Sequence, residues 1–147
     1  MLTRCFGMGP WRVFDWPPAG RTDMNRMYRG APGDFTGRMA FTQLGPVELE
    51  LIQPGAESSI WADFLAEHGP GLHHLRFNVP DVNEVIAEMA GHGIGVTQAA
   101  NGIRPGTCWA NLDTEGLLGF TMEIMQPVPG TDGLTPSPEE LADGGGE

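Results

Sequence analysis

The sequence predicts an α+β fold made of paired βαβββ modules, the first truncated at its N-terminus, without its opening strand and most of its helix. Residues 72–125 read in order as strand, helix and three strands, and residues 11–53 read as three strands preceded by a helix end. Glycine occurs 22 times and proline 13 times in 147 residues, so elements are short and turns frequent.

Each element follows from local chemistry. Leu2, Cys5 and Phe6 fall at helical spacing and Gly7 can stop the helix, so residues 1–9 read as a helix end. Residues 11–16 (WRVFDW) are rich in β-formers and end at Pro17-Pro18. Residues 17–37 read as a long polar loop, either a ligand lid or a mobile segment, because ~20 residues without structure of their own are uncommon in a compact domain. Residues 38–44 and 47–53 read as a hairpin turned at Gly45-Pro46. Ser58 or Ser59 caps a helix through Glu67, with Ile60, Phe64 and Leu65 on its buried side. Residues 72–79 (LHHLRFNV) read as a strand. Asp81 and Glu84 then make a capping box, and Val82, Val85, Ile86 and Met89 give the apolar stripe of a helix. Strands follow at 95–99, 107–112 and 119–125, with a loop or turn at 113–118. From Pro127 the chain is rich in Pro, Gly and acids, which bury too little apolar area to offset ordering entropy. The expected organisation is one domain over 1–127 (first module 1–54, linker helix 55–69, second module 70–127) and a disordered acidic tail over 128–147.

Charge narrows the function. Eight arginines, no lysine and 19 acids give a formal charge of −11. A nucleic-acid partner needs clustered cations to release counterions, and an anionic membrane surface needs the same. No apolar run approaches the ~18 residues of a spanning helix, and residues 1–15 do not read as a signal peptide. Cys5 and Cys108 form no CxxC, so a reducing cytoplasm is the expected setting.

Strand alternation decides which polar groups share a face. In LHHLRFNV, His74, Arg76 and Asn78 form a polar row opposite His73, Leu75, Phe77 and Val79. Glu50 lies in the alternating strand VELELIQ, and Glu123 sits between the apolar Met122 and Ile124 of the final strand. A carboxylate there needs a partner, and a cation is one. His74, Glu50 and Glu123 are therefore a candidate metal set suited to Zn, Mn, Co, Ni or Fe(II). The bland reading is a hydrogen-bonded histidine and a solvated acidic face. Arg76 could hold an anionic ligand or form a salt bridge to Glu50 or Glu123. Trp11, Phe14, Trp16, Met39, Phe41 and Trp109 are ordinary core or the wall of a cup.

The stretch ELIQPG, a short helix, and GPGLHHLRFNVPDV, with FGMGPW before and GFTMEIMQP after, resembles the vicinal oxygen chelate superfamily over roughly residues 5–127. The nearest branch resembles methylmalonyl-CoA epimerases and glyoxalase-like proteins. The resemblance implies paired modules forming a cupped mixed sheet around a divalent metal, with His74, Glu123 and Glu50 as ligands. It implies a metal-dependent isomerase or lyase acting on a small acyl, thioester or α-keto substrate. Glu123 and Glu50 would be catalytic, and Arg76, Asn78 and Trp109 would bind substrate. A homodimer is expected from the resemblance and from the strand edge left exposed. Two alternatives remain: a metal-free binding or drug-resistance protein of the same fold, and an inactive truncated form. Aligning GRMAFTQL on the epimerase pattern puts Ala40 at the position of a catalytic glutamate, which argues against two-base racemisation.

Overall fold

The computed structural model describes residues 1–131 and 133–135. The chain runs α1 (Leu2–Phe6), β1 (Arg12–Trp16), β2 (Met27–Tyr28), β3 (Ala31–Pro32), β4 (Gly37–Leu44), β5 (Val47–Pro54), α2 (Ile60–His68) and β6 (His74–Asn78). It continues through α3 (Val82–Gly91), β7 (Val96–Asn101), β8 (Cys108–Leu112), α4 (Glu115–Leu118) and β9 (Thr121–Gln126). The α+β class and the βαβββ order of the second half hold.

Local signals set most boundaries. Gly7 ends α1 at φ 65, the left-handed stop that lacks a Cβ clash. The Ser59 side chain accepts from the Ala62 N–H to cap α2, and Asp81 accepts from the Asn83 and Glu84 N–H groups to cap α3.

The strands form two sheets. One is antiparallel, in the order β1-β4-β5; the other has the order β3-β2-β7-β8-β9-β6, with β6 parallel to β9. The 82–91 helix packs its stripe on β8 and β9, giving a small core of Val82, Ala110, Leu112 and Ile124. A larger core lies between the sheets. It joins Trp16, Met39 and Phe41 of the first sheet to Ala100 and Trp109 of the second, with Ile60 and Trp61 of α2 between them.

Four expectations change. Residues 17–37 are not a lid: they hold the β2–β3 hairpin, which extends the larger sheet, and they bury Met24 and Phe35 in the main core. A hairpin of two-residue strands leaves no alternation to read. On α2, Ile60 is buried as expected, but its buried neighbour is Trp61, while Leu65 is 44% exposed. On β6, Leu75 and Phe77, on the face that should pack against helices, are instead half exposed, because β6 is an edge strand. The segment from 128 was expected to be disordered, yet Gly133 and Thr135 are buried against the first sheet and β6. Residue 132 and residues 136–147 of that expected tail lie outside the described residues.

Candidate functional site

Register brings the polar row together. Arg76 on β6 pairs with Glu123 on β9, Glu123 with Asn111 on β8, and Asn111 with Gln98 on β7. One rung of the larger sheet is thus polar across four strands, under an aromatic core. From the smaller sheet, β5 turns Glu48, Glu50 and Ile52 to the same interior, opposite Gln43, Phe41 and Met39 of β4.

His74 is where the two sheets meet chemically. Its Nε2 lies 3.2 Å from Glu50 Oε2 and 4.0 Å from Glu123 Oε2, with all three side chains at most 20% exposed. Its Nδ1 lies 3.0 Å from His73 Nδ1. Burial alone would depress the His74 pKa, but the Glu123 charge and the Glu50 hydrogen bond outweigh it and lift the value to about 9. His73 is pushed down to about 4 by burial and by the neighbouring His74 charge. Burial raises the Glu123 carboxyl, with the His74 charge acting against it. His74 therefore donates through Nδ1, and His73 accepts as a neutral ring.

Among the described residues, no three His, Cys, Asp or Glu side chains stand in a ready-made metal cage. The donor chemistry nevertheless fits one. Ligands about 2.1 Å from a tetrahedral ion are roughly 3.4 Å apart, and the two Nε2–oxygen separations of 3.2 and 4.0 Å bracket that value. The 3.2 Å contact is a hydrogen bond here; an ion would take the place of its proton. One imidazole with two carboxylates suits Zn, Mn, Co, Ni or Fe(II).

Beside this point opens a pocket whose space, counting the solvent at its open mouth, is about 670 Å³, walled by Trp16, Met39, Phe41, Trp61 and Trp109 and carrying Glu50, Glu123 and Arg76. Trp109 is thus in the wall. Arg76 points inward but is not bonded to Glu50 or Glu123: it donates to the Gly133 carbonyl at 2.8 Å and lies 3.8 Å from Glu48. Asn78 is exposed at the end of β6, next to Gly133, and does not line the cavity. Ala40 sits on the face of β4 opposite Met39 and Phe41, and those two apolar side chains line the cavity.

Sequence reasoning missed several residues. Asn111, fully buried, donates to Glu123 Oε2 at 3.2 Å, and Gln98 accepts the Ile60 N–H at 3.0 Å. An Asn within the apolar run of β8 was the readable signal for the first. Glu48, salt-bridged to Arg12, and Arg104 had none.

The model of the Glyoxalase/Bleomycin resistance protein/Dioxygenase superfamily matches residues 1–110. The chain belongs to this superfamily. Among solved structures, the superfamily chain is similar to a hypothetical protein, BH1468, from Bacillus halodurans C-125, at 26% identity over 65% of this chain and 70% of that one, with a TM-score of 0.54. It is also similar to methylmalonyl-CoA epimerase from Mycobacterium tuberculosis (20% identity, 87% and 77% covered, TM-score 0.58). A Streptomyces coelicolor methylmalonyl-CoA epimerase variant in complex with 2-nitronate-propionyl-CoA gives 18% identity, 87% and 83% coverage and a TM-score of 0.59. At these identities the epimerases share the fold. Comparison with curated proteins returns no match. No helix among the described residues is long and apolar enough to cross a membrane.

Proposed function

We propose that the chain is a metal-dependent isomerase or lyase of the glyoxalase or epimerase type, acting beside a carbonyl of a small acyl, thioester or α-keto substrate. The observation that carries this reading is that His74 Nε2 lies 3.2 Å from Glu50 and 4.0 Å from Glu123, two carboxylates that line an aromatic-walled cavity. A divalent ion there would supply Lewis-acid polarisation of the carbonyl. His74, fixed by His73, presents Nε2. Glu123 or Glu50 takes the proton from the carbon next to the carbonyl; burial lifts the Glu123 pKa in the direction a base near neutral pH requires. Arg76 orients the anionic end of the substrate, and Trp16, Trp61 and Trp109 exclude water from the reacting carbon.

The same reading takes residues 1–127 as one domain of two modules joined by α2, acting in the cytoplasm. It takes the working unit as a homodimer, because the edge strands β5 and β6 leave Leu51, Leu75 and Phe77 exposed.

Metal analysis tests the proposal. One ion per chain is expected. At about 100 times Kd, an ion that binds only the folded chain stabilises it by about 2.7 kcal/mol. His74→Gln and Glu123→Gln should each remove most of that gain. No bound ion, and no gain with Zn, Mn, Co, Ni or Fe(II), would overturn the reading. One observation favours a second reading, a metal-free binding cup. The buried Trp61 Nε1 has no partner among the described residues, and Trp61 lines the cavity, as a site for a hydrogen-bond acceptor would.

A further inference from the structure

The two modules treat the outer faces of their sheets differently. In the second, α3 lies on the outer face of β8 and β9 and buries the cross-strand pair Ala110–Ile124, at 0% and 2% exposed. The matching pair in the first module is Ala40–Leu51, on β4 and β5. In each module the aliphatic member follows a carboxylate of the site: Ile124 follows Glu123, and Leu51 follows Glu50. Yet Leu51 is 40% exposed, and the rung continues across β1 to Val13, at 52%. Alternation puts Val47, also exposed, and Leu49 on the same face of β5. An apolar sheet face left open in this way marks an interaction surface.

The polar residues of the face say what fits it. The rung beside Val13, Ala40 and Leu51 is Asp15, Arg38 and Gln53, all exposed. The face thus carries one acid and one arginine, a formal charge of zero in a chain of −11. Net repulsion between copies is least where a surface carries no charge of its own. We propose that this face is a self-association surface, on which a second copy packs its own identical face about a two-fold axis. Aligned sheets pack about 10 Å apart. With the axis along the central strand β4, each rung meets itself in reverse order. Val13 then packs on Leu51 of the partner subunit, and Arg38 comes within reach of Asp15 of the partner subunit. The footprint is three strands wide and at most eight residues long. That is roughly 14 by 26 Å, short of the ~800 Å² per partner of a standard interface, so the dimer dissociates on dilution. The second copy covers the strand that carries Glu50, as α3 covers the strand that carries Glu123. The inference rests on the homodimer of the proposed reading, which it moves from the strand edges to a face, and not on a bound metal.

The test is sedimentation velocity on the full chain, treated with chelator so that failure of the metal reading leaves it unaffected. Monomer and dimer should exchange places between about 1 and 500 μM, the range of a weak interface. Val13→Lys, which sets a charge against Leu51 of the partner subunit, should raise the dissociation constant about tenfold or more. Asp15→Arg, which sets arginine against arginine, should also raise it about tenfold. Asp15→Arg combined with Arg38→Asp should bring it back to within about threefold of the natural value. The charge variants carry the test if Val13→Lys does not fold by circular dichroism. Phe77→Arg, on the β6 edge, should leave the dimer intact. A natural chain that stays monomeric throughout would overturn both this surface and the homodimer of the proposed reading. A dimer lost in Phe77→Arg but kept in Val13→Lys and Asp15→Arg would overturn the surface and leave the homodimer standing. So would a loss in Asp15→Arg that the double variant does not recover.

Discussion

The adjacent histidines make metal-free stability depend on pH in a way that can be worked through. His74 is lifted from 6.5 to about 9 in the folded chain. Between those values the folded chain holds a proton that the unfolded chain has lost. Stability from this group is therefore complete below pH 6.5 and disappears as pH rises through about 9. At 1.36 kcal/mol per unit the shift corresponds to about 3 kcal/mol, most of it lost between pH 6.5 and 9. The side chain is only 10% exposed, so solvent screening takes little from that figure. Glu123 acts in the same sense, because its folded pKa is also raised. His73 acts in the opposite sense. Depressed to about 4, it withholds a proton that the unfolded chain accepts, so its contribution is complete above pH 6.5 and is lost as pH falls through about 4. The assay is urea unfolding of chelator-treated protein from pH 5 to 9, for the natural chain and for His74→Gln. With a slope of about 2 kcal/mol per molar, the natural midpoint should fall by roughly 1.5 M between pH 6.5 and 9. The variant should lack most of that fall. A saturating divalent ion should reverse it, since the ion replaces the proton on Nε2 and binds more tightly as pH rises. A natural chain whose midpoint holds or rises over this range would refute the electrostatic account, and so would an equal fall in His74→Gln.

The α2 helix gives a second prediction. Trp61→Ala should cost about 3–5 kcal/mol by opening the main core, whereas Leu65→Ala should stay within about 0.5 kcal/mol, both read by chemical denaturation. His73→Phe keeps a ring against Phe64 but removes the acceptor for His74 Nδ1. It should weaken metal binding about 10- to 100-fold, and His73→Asn should recover part of the loss. On any substrate with an acidic C–H, the site should exchange that proton with solvent deuterium while keeping configuration. Racemisation as fast as exchange would place a second base that the cavity-facing side of β4 lacks.

The grouping of polar side chains was more legible than the packing. His74, Glu50 and Glu123 could be found because strand alternation is local: one residue of offset decides the face, and a polar residue among apolar neighbours declares itself. Which β4 side chains face the cavity was harder to read. The family pattern pointed to Ala40, while strand pairing sets Phe41 against Glu50 and turns Ala40 to the other face. Register across strands is a tertiary property, and a one-residue slip reverses every side chain. The β2–β3 hairpin and the buried Met24 and Phe35 were illegible for a related reason. Their burial comes from the larger sheet and from Trp16, Trp61 and Trp109, and short polar sequence carries no trace of such neighbours. The seat of residues 133–135 was hidden too. Its stability comes from Arg76, Arg104 and Glu48, each more than 25 residues away in the chain.

Membership of the superfamily constrains the scaffold; the side chains on the cavity wall decide the reaction. Here they divide sharply. Every carboxylate among the described residues that lines the cavity comes from β5 or β9, next to His74, and Trp16, Met39, Phe41, Trp61 and Trp109 supply its aromatic and thioether wall. A two-base epimerase needs proton-transfer groups on both sides of the reacting carbon. In this cavity the carboxylates among the described residues are Glu50 and Glu123, both within 4.0 Å of His74 Nε2, and the rest of the named wall is indole, thioether and phenyl, none of which moves a proton at neutral pH. Arg76 and Arg104 also line the cavity, and arginines bind anions and stay protonated. The division therefore favours proton transfer on a single face of the substrate, with the substrate oriented by its charged end and its other face pressed against aromatic rings. That geometry suits an isomerase that returns the proton to the face it left, or a lyase that passes it to a leaving group, and it fits inversion at carbon poorly.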